Sequence, residues 1–155
     1  LSLVPLFLIV NFFGWINTYW AIIIPGMISA FGIFFMRQVM VSIPNEVIDA
    51  ARVDGASEFG IYWRIALPMA GAGVAVYATL AFLGSWNSFL WPLIVLRTPE
   101  MLTAPVAIAS LVGLYKVEYG MIMAGATLSI IPVIILFLLG QKYFIAGILS
   151  GAIKG

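Results

Sequence analysis

Three long stretches of the chain carry no charged side chain: residues 1–36, 65–96 and 119–141. A helix rises about 1.5 Å per residue and needs about 20 apolar residues to cross a bilayer's hydrocarbon. The first stretch is too long for one crossing. The segment Gly14-Trp15-Ile16-Asn17-Thr18-Tyr19 interrupts it with turn-favouring and interface-favouring residues. The pattern therefore predicts spans over about 1–14, 20–41, 67–91 and 120–141. Prolines at 5, 25, 92 and 132 fall within or beside these stretches, where they bend helices that a bundle can tolerate. Small residues recur four apart at Gly26/Ala30, Gly71/Ala75 and Gly147/Gly151, a spacing that lets helix backbones approach closely. The expected architecture is an all-α membrane protein, a polytopic helical bundle forming a single domain over 1–155.

Composition supports lipid as the solvent. Hydrophobic residues make up 64% of the 155 residues and charged residues only 8%, whereas a soluble domain carries about a quarter charged residues. A net charge of +1, with seven Lys and Arg scattered along the chain, provides no clustered basic surface for nucleic acid. Cys and His are both absent, which removes disulfides, thiolate nucleophiles, most transition-metal sites and the usual proton shuttle near neutral pH. No cofactor or metal is expected. The chain starts at Leu1 inside an apolar run, without the pattern of a signal peptide. The expectation is a chain that lacks its N-terminal part.

The two segments between the later spans differ. Residues 42–66 hold four of the six acids, Glu46, Asp49, Asp54 and Glu58, together with Arg52 and Arg64. Residues 92–118 hold Arg97, Glu100, Lys116 and Glu118, and enclose the apolar run Ala104 to Tyr115, about half a crossing long. That run predicts a helix at, or dipping into, the membrane surface. With four spans, Arg37, Arg52, Arg64, Lys142 and Lys154 fall on one side and Arg97 and Lys116 on the other. The bias places 42–66 and the C-terminal tail in the cytoplasm and 92–118 outside.

The stretch from Ser42 to Glu58 reads as helix, turn, helix. Pro44 stops the preceding span. Asn45 is expected to cap a helix whose first turn carries Glu46 and Asp49, suited to the positive end of the dipole. Val47, Ala50, Ala51 and Val53 supply a small apolar face. Gly55 stands where a helix C-terminus takes positive φ. Ser57 is expected to cap a second helix with Phe59, Tyr62 and Trp63, running to Leu67-Pro68. Such a stiff pair between spans can pass force to a partner. An ordinary interfacial loop with capped helices fits the same residues.

Asp49-Ala50-Ala51, three residues, Gly55, nine residues and Ile65-x-Leu67-Pro68 resemble the E-A-A, G, I-x-L-P motif of ABC importer permeases at every spacing, with Asp49 where the family usually has Glu. Ile43-Pro44-x-Glu46, Asp54-Gly55-Ala56-Ser57, Trp86-Asn87-x-Phe89-x-x-Pro92 and the ending Gly151-Ala152-Ile153-Lys154-Gly155 are similar to the carbohydrate-uptake branch. That branch is represented by the inner permease subunit of the maltose importer. The resemblance covers essentially the whole chain. It implies a multi-pass cell-membrane permease for a sugar or related solute, with about two further spans upstream. It also implies a second permease subunit, a pair of ATPase subunits and an extracytoplasmic solute-binding protein. The residues it assigns to ATPase coupling are Glu46, Asp49, Ala50, Ala51, Asp54, Gly55, Ala56 and Ser57.

Three further features bear on mechanism. The chain has no G-x-x-x-x-G-K-[ST] phosphate cradle, so ATP hydrolysis is expected on separate chains and no catalytic residue is assigned. Apart from Arg37, near the inner end of the span 20–41, no charge falls inside a predicted span, which argues against ion coupling in this chain. Tyr77, Gly84, Ser88 and Trp91 recur at helical spacing with Asn87 at the border of that face. Tyr77, Asn87 and Ser88 are thus candidates for a solute pathway, and a hydrogen bond between helices is the equally open alternative. A secondary transporter would need a coupling site within the spans. A membrane enzyme would need a nucleophile with a base, or a metal cluster. A structural subunit would leave the patterned 42–68 segment unexplained.

Overall fold

The computed structural model describes residues 2–112 and 119–152, with the side chains of 142–152 excepted. The described chain is helical. In order come α1 (Leu3–Phe12), α2 (Trp20–Gly26), α3 (Ala30–Val41), α4 (Asn45–Val53), α5 (Glu58–Ile61), a π-helical turn (Tyr62–Ala66) and α6 (Leu67–Met69). Then follow α7 (Gly71–Trp86), α8 (Leu90–Val95), a 3₁₀ turn (Pro99–Met101), α9 (Ala104–Ser110) and α10 (Tyr119–Ala152). α10 includes a 23-residue stretch, Tyr119–Gln141, that is long and apolar enough to cross a bilayer. Of the apolar run expected to form a surface helix, Ala104–Ser110 is helical, while 113–118, with Lys116 and Glu118, lie outside the described residues.

The stretch 67–91 is not one continuous helix. The chain turns by 75° between the arm Glu58–Met69 and α7, and α7 ends at Trp86, before α8 begins at Leu90. The helical spacing used to group Tyr77 with Ser88 and Trp91 therefore does not hold past Trp86. At this end the Asn87 side chain donates to the Leu83 carbonyl at 2.8 Å, competing with continuation of the ladder.

The chain divides into two compact units. The first comprises residues 1–28 and 83–135. Its core is Val10, Ala21, Val95 and Leu96, packed by Phe7, Trp15, Ile22, Trp91 and Leu102. Two devices hold the chain where regular helix stops. Pro25 lacks the N–H that would pair with the carbonyl of Ala21, four residues back, and the indole N–H of Trp91 donates to that carbonyl at 2.8 Å. The Trp86 indole likewise donates to the Ser129 carbonyl at 3.1 Å, in the turn of α10 that precedes Pro132. Asn17, at φ 60°, supplies the second device. Its backbone N–H donates to Val95 at 2.8 Å, and its side-chain oxygen accepts from the backbone N–H of Arg97 at 2.9 Å and of Thr98 at 3.1 Å.

The second unit comprises residues 29–82 and 136–155. The Ser29 hydroxyl opens α3 by accepting the Gly32 N–H at 3.2 Å. α3 and α7 then meet through two glycine notches. The Tyr77 ring of α7 fills the space where Gly32 of α3 has no side chain, and a Cβ at Gly73 of α7 would lie 2.5–2.6 Å from the Val39 methyls of α3. Phe35 stacks on Tyr77 with ring centroids 6.0 Å apart. Close backbone approach at small residues is how helices associate where water supplies no hydrophobic drive. Because α3 and α7 are locked together, the chain between them projects as one excursion, residues 42–70.

Candidate functional site

The excursion contains the motif segment. α4 begins at Asn45, and its N-cap is Pro44 in extended geometry with φ −60° and ψ 132°. Asn45 is thus not the cap: the fixed proline φ already provides the entry conformation, and no side chain bonds the first N–H groups. Glu46 lies in the first turn and Arg52 in the last, each matched to the dipole at its end.

α4 closes in a Schellman turn. The Gly55 N–H donates to Arg52 and the Ala56 N–H to Ala51, both at 3.0 Å, and Gly55 takes φ +81°. This pairing satisfies the last carbonyls of the helix and requires a left-handed residue, which glycine supplies without steric cost. A side chain at Gly55 would meet nothing within 4 Å, so the requirement for glycine is purely one of backbone conformation. Ser57 caps α5 as expected, its hydroxyl accepting the Gly60 N–H at 3.2 Å.

Exposure sorts the motif residues. Glu46, Asp49, Ala50, Asp54, Gly55, Ala56 and Ser57 are all exposed, and Ala51 is buried. The inward face of α4 is Ile48 and Ala51: of the expected Val47, Ala50, Ala51 and Val53, only Ala51 is buried, and Val53 is 88% exposed. Opposite them α5 buries Ile61. The small size of Ala51 therefore serves the packing of the excursion itself, whereas Ala50, Gly55 and Ala56 leave an outer face free of bulk. Beyond the turn lies a concavity of about 600 Å³ that includes Gly55, Ser57, Phe59, Gly60, Trp63 and Arg64 in its lining.

The sequence pattern missed two residues here. Arg52 forks onto Glu58, with Nε donating to Oε1 at 2.7 Å and Nη2 to Oε2 at 3.1 Å, and its Nη1 reaches Asp49 Oδ1 at 2.9 Å. One guanidinium thus ties α4 to α5 across the Gly55 turn. The hydrogen bond from Arg52 holds the Glu58 carboxyl below the usual glutamate range, and the bond to Glu58 in turn raises the Arg52 guanidinium. Opposite charges on either side of a glycine turn were the available signal.

Of the other candidates, Tyr77 packs on Gly32 and Phe35. Asn87 is exposed just past α7, and Ser88 follows it, half-buried.

Residues 1–150 match the family described as the binding-protein-dependent transport system inner membrane component. The chain belongs to this family. Among members of the inner membrane component family, it is 43% identical over 153 residues to the arabinooligosaccharides transport system permease protein AraQ of Halalkalibacterium halodurans, covering 99% of this chain and 55% of that protein. It is 38% identical over 152 residues to the lactose transport system permease protein LacG of Rhizobium radiobacter, covering 98% of this chain and 55% of that protein. Against the sn-glycerol-3-phosphate transport system permease protein UgpE of Yersinia pestis the identity is 31%, over 87% of this chain and 49% of that one. The chain spans about half the length of the curated relatives it matches. A crystal structure of a bacterial ABC transporter involved in the import of the acidic polysaccharide alginate superposes with a TM-score of 0.79 at 30% identity, over 91% of this chain and 55% of that chain. The fold is that of the ABC importer permeases, and the chain is a membrane component.

The Arg52 fork predicts an acid-shifted Glu58. A carboxylate with a lowered folded pKa contributes stability above its ordinary range and loses it as pH falls through the lowered value. Carbon NMR of labelled Glu58 in the full-length protein should give a midpoint below that of a free glutamate, and Arg52→Gln should return it to the ordinary range. An unshifted midpoint in the unmodified protein would remove the fork from solution.

Proposed function

We propose that this chain is part of the permease subunit of an ATP-driven importer for a sugar or related solute. In this reading, residues 42–66 and the C-terminal tail are cytoplasmic, and 92–118 face outside. The excursion 42–68 docks on separate ATPase subunits and passes their movement to the α3–α7 pair. A second permease subunit completes the pathway, and an extracytoplasmic binding protein delivers the solute. The chain performs no hydrolysis itself. Family membership supports the reading, as do relatives named for arabinooligosaccharide and lactose transport.

The observation that carries the proposal is the exposed Gly55 turn, set at the motif spacing between two capped or proline-started helices. A pair of short helices tied to α3 at one end and α7 at the other is mechanically suited to transmit force. The residues proposed to meet the ATPase are Glu46, Asp49, Ala50, Asp54, Gly55, Ala56 and Ser57, with Ala51 supporting them from within. The tail Gly151 to Gly155 is also proposed to reach the ATPase; its residues 153–155, Lys154 among them, lie outside the described residues.

Tyr77, Asn87 and Ser88 are proposed to border the solute path. The observation in favour concerns Asn87: among the described residues, its amide N–H bonds only the end of its own helix. An amide so placed keeps its oxygen available to a sugar hydroxyl. Asn87→Ala should change transport rate or solute preference with assembly intact. Unaltered transport across a sugar panel would leave Asn87 as a helix terminator alone.

The coupling assignment makes a sharper prediction. Gly55→Val forces a β-branched residue into φ +81°, at a cost of about 1–3 kcal/mol. That distorts a docking turn without unfolding a lipid-embedded bundle. In the full-length complex reconstituted in lipid, Gly55→Val should preserve membrane insertion and permease pairing, and should lower ATPase recovery or abolish ATP-driven uptake. Normal uptake with normal ATPase recovery would overturn the coupling role.

A further inference from the structure

The two helices of the excursion need something to fix their mutual angle. The Schellman turn ends α4, but its hydrogen bonds return to α4 itself, from Gly55 to Arg52 and from Ala56 to Ala51. The Ser57 cap is equally local, bonding only Gly60 within α5. Glycine makes the turn possible and, for the same reason, leaves it conformationally free. The apolar contact available is small, with Ala51 and Ile61 the buried residues of α4 and α5.

Among the described residues, the Arg52–Glu58 fork is the only side-chain hydrogen bond that crosses the turn. Its geometry is bidentate, at 2.7 and 3.1 Å, and the third contact, 2.9 Å to Asp49, pins the guanidinium to its own helix. A guanidinium can make all three bonds at once because its donors are fixed in a plane, whereas a lysine offers only a mobile point charge. All three side chains are at least half exposed, so the pair adds little to global stability. What it does is restrict one turn.

We propose that Arg52 is a positioning residue of the excursion: by bridging Asp49 on α4 and Glu58 on α5, it holds the two helices at a fixed angle, so that the exposed Gly55 face meets the ATPase already formed. The inference rests on the docking role proposed above. Ordering a loop on binding weakens affinity by the cost of that ordering, and pre-ordering removes this cost. Arg52 therefore acts through the loop's shape and touches the partner only indirectly. Asp49, in the acidic position of the motif, orients Arg52 by accepting from it at Oδ1 and remains exposed on the docking face.

The test uses the full-length permease pair in lipid nanodiscs, titrated with its ATPase subunit. Arg52→Gln and Glu58→Gln should each weaken ATPase binding about two- to fivefold, the range for an exposed but well-formed pair. The double variant should be no worse than the weaker single, because both remove the same link. Arg52→Lys should behave like Arg52→Gln, since charge without the fork does not fix the angle. Saturating ATPase should restore uptake in every variant. If Glu58→Gln binds normally while Arg52→Gln does not, Arg52 contacts the ATPase directly and the proposal is wrong. Full rescue by Arg52→Lys would likewise reduce the effect to charge. Spin labels at Val53→Cys and Phe59→Cys, both exposed sites, give a second readout without the ATPase. Their distance distribution should broaden in Arg52→Gln, and an unchanged distribution would overturn the proposal. Gly55→Val in the same titration separates the two claims: weak binding there with normal binding in Arg52→Gln rejects the positioning role alone, and normal binding together with normal uptake in Gly55→Val rejects the docking role beneath it.

Discussion

Lipid offers no hydrogen bonds, so each backbone group that leaves the helical ladder must find a partner within the protein. The fold follows from this demand. Long apolar stretches become helices, which satisfy their own backbones, and the interruptions are where polar chemistry appears. Pro25 frees the Ala21 carbonyl, and the Trp91 indole takes it. The irregular chain at 95–98 is received by Asn17, which accepts two backbone N–H groups from its left-handed turn. The end of α4 is closed by its own Schellman bonds because Gly55 takes φ +81°. Each of these departures from helix is answered within the protein, by a side chain at Trp91 and Asn17 and by the turn's own backbone at Gly55.

The same constraint explains where charge resides. The excursion 42–70 leaves the packed α3–α7 pair and carries most of the acids. There Arg52 pairs with Asp49 and Glu58, and the exposed rings of Phe59 and Trp63 meet edge to face at 6.1 Å. Elsewhere the exposed surface is dominated by Phe, Ile, Leu and Met, including Phe12 at 85% and Ile28 at 79%, as expected of a chain whose neighbours are lipid and protein. The proposed coupling uses this contrast: a polar, angle-fixed pair of helices set on a helical stem that is held by interlocking glycines rather than by charge.

Much of this was legible in the sequence. Charge-free length gave the helical membrane class, and the spacing from Asp49 to Pro68 gave the family. Gly55 and the Ser57 cap were legible because each is the residue type its backbone position demands. What escaped was what depends on contacts. Asn45 has the right chemistry for a cap, yet Pro44 had already fixed the entry, so the side chain was superseded. The inward face of α4 is Ile48 and Ala51 because Ile61 lies opposite, and no one-helix pattern contains α5. The helix read through 67–91 breaks at Ala70 and again after Trp86, although the apolar pattern continues across both points. The pairing of Trp91 with Ala21 joins residues 70 apart in sequence, a distance over which periodicity carries no information.

The central claim is that the exposed Gly55 face meets an ATPase subunit on the cytoplasmic side of the membrane. Its most direct test is a photo-reactive benzoylphenylalanine placed at Ala56, which is exposed beside the turn, in the full-length permease irradiated in intact cells. The account predicts one dominant adduct with the ATPase subunit, diminished when excess unmodified permease competes for it. Adducts with an extracytoplasmic protein, or none with the ATPase while the complex still assembles and transports, would contradict it.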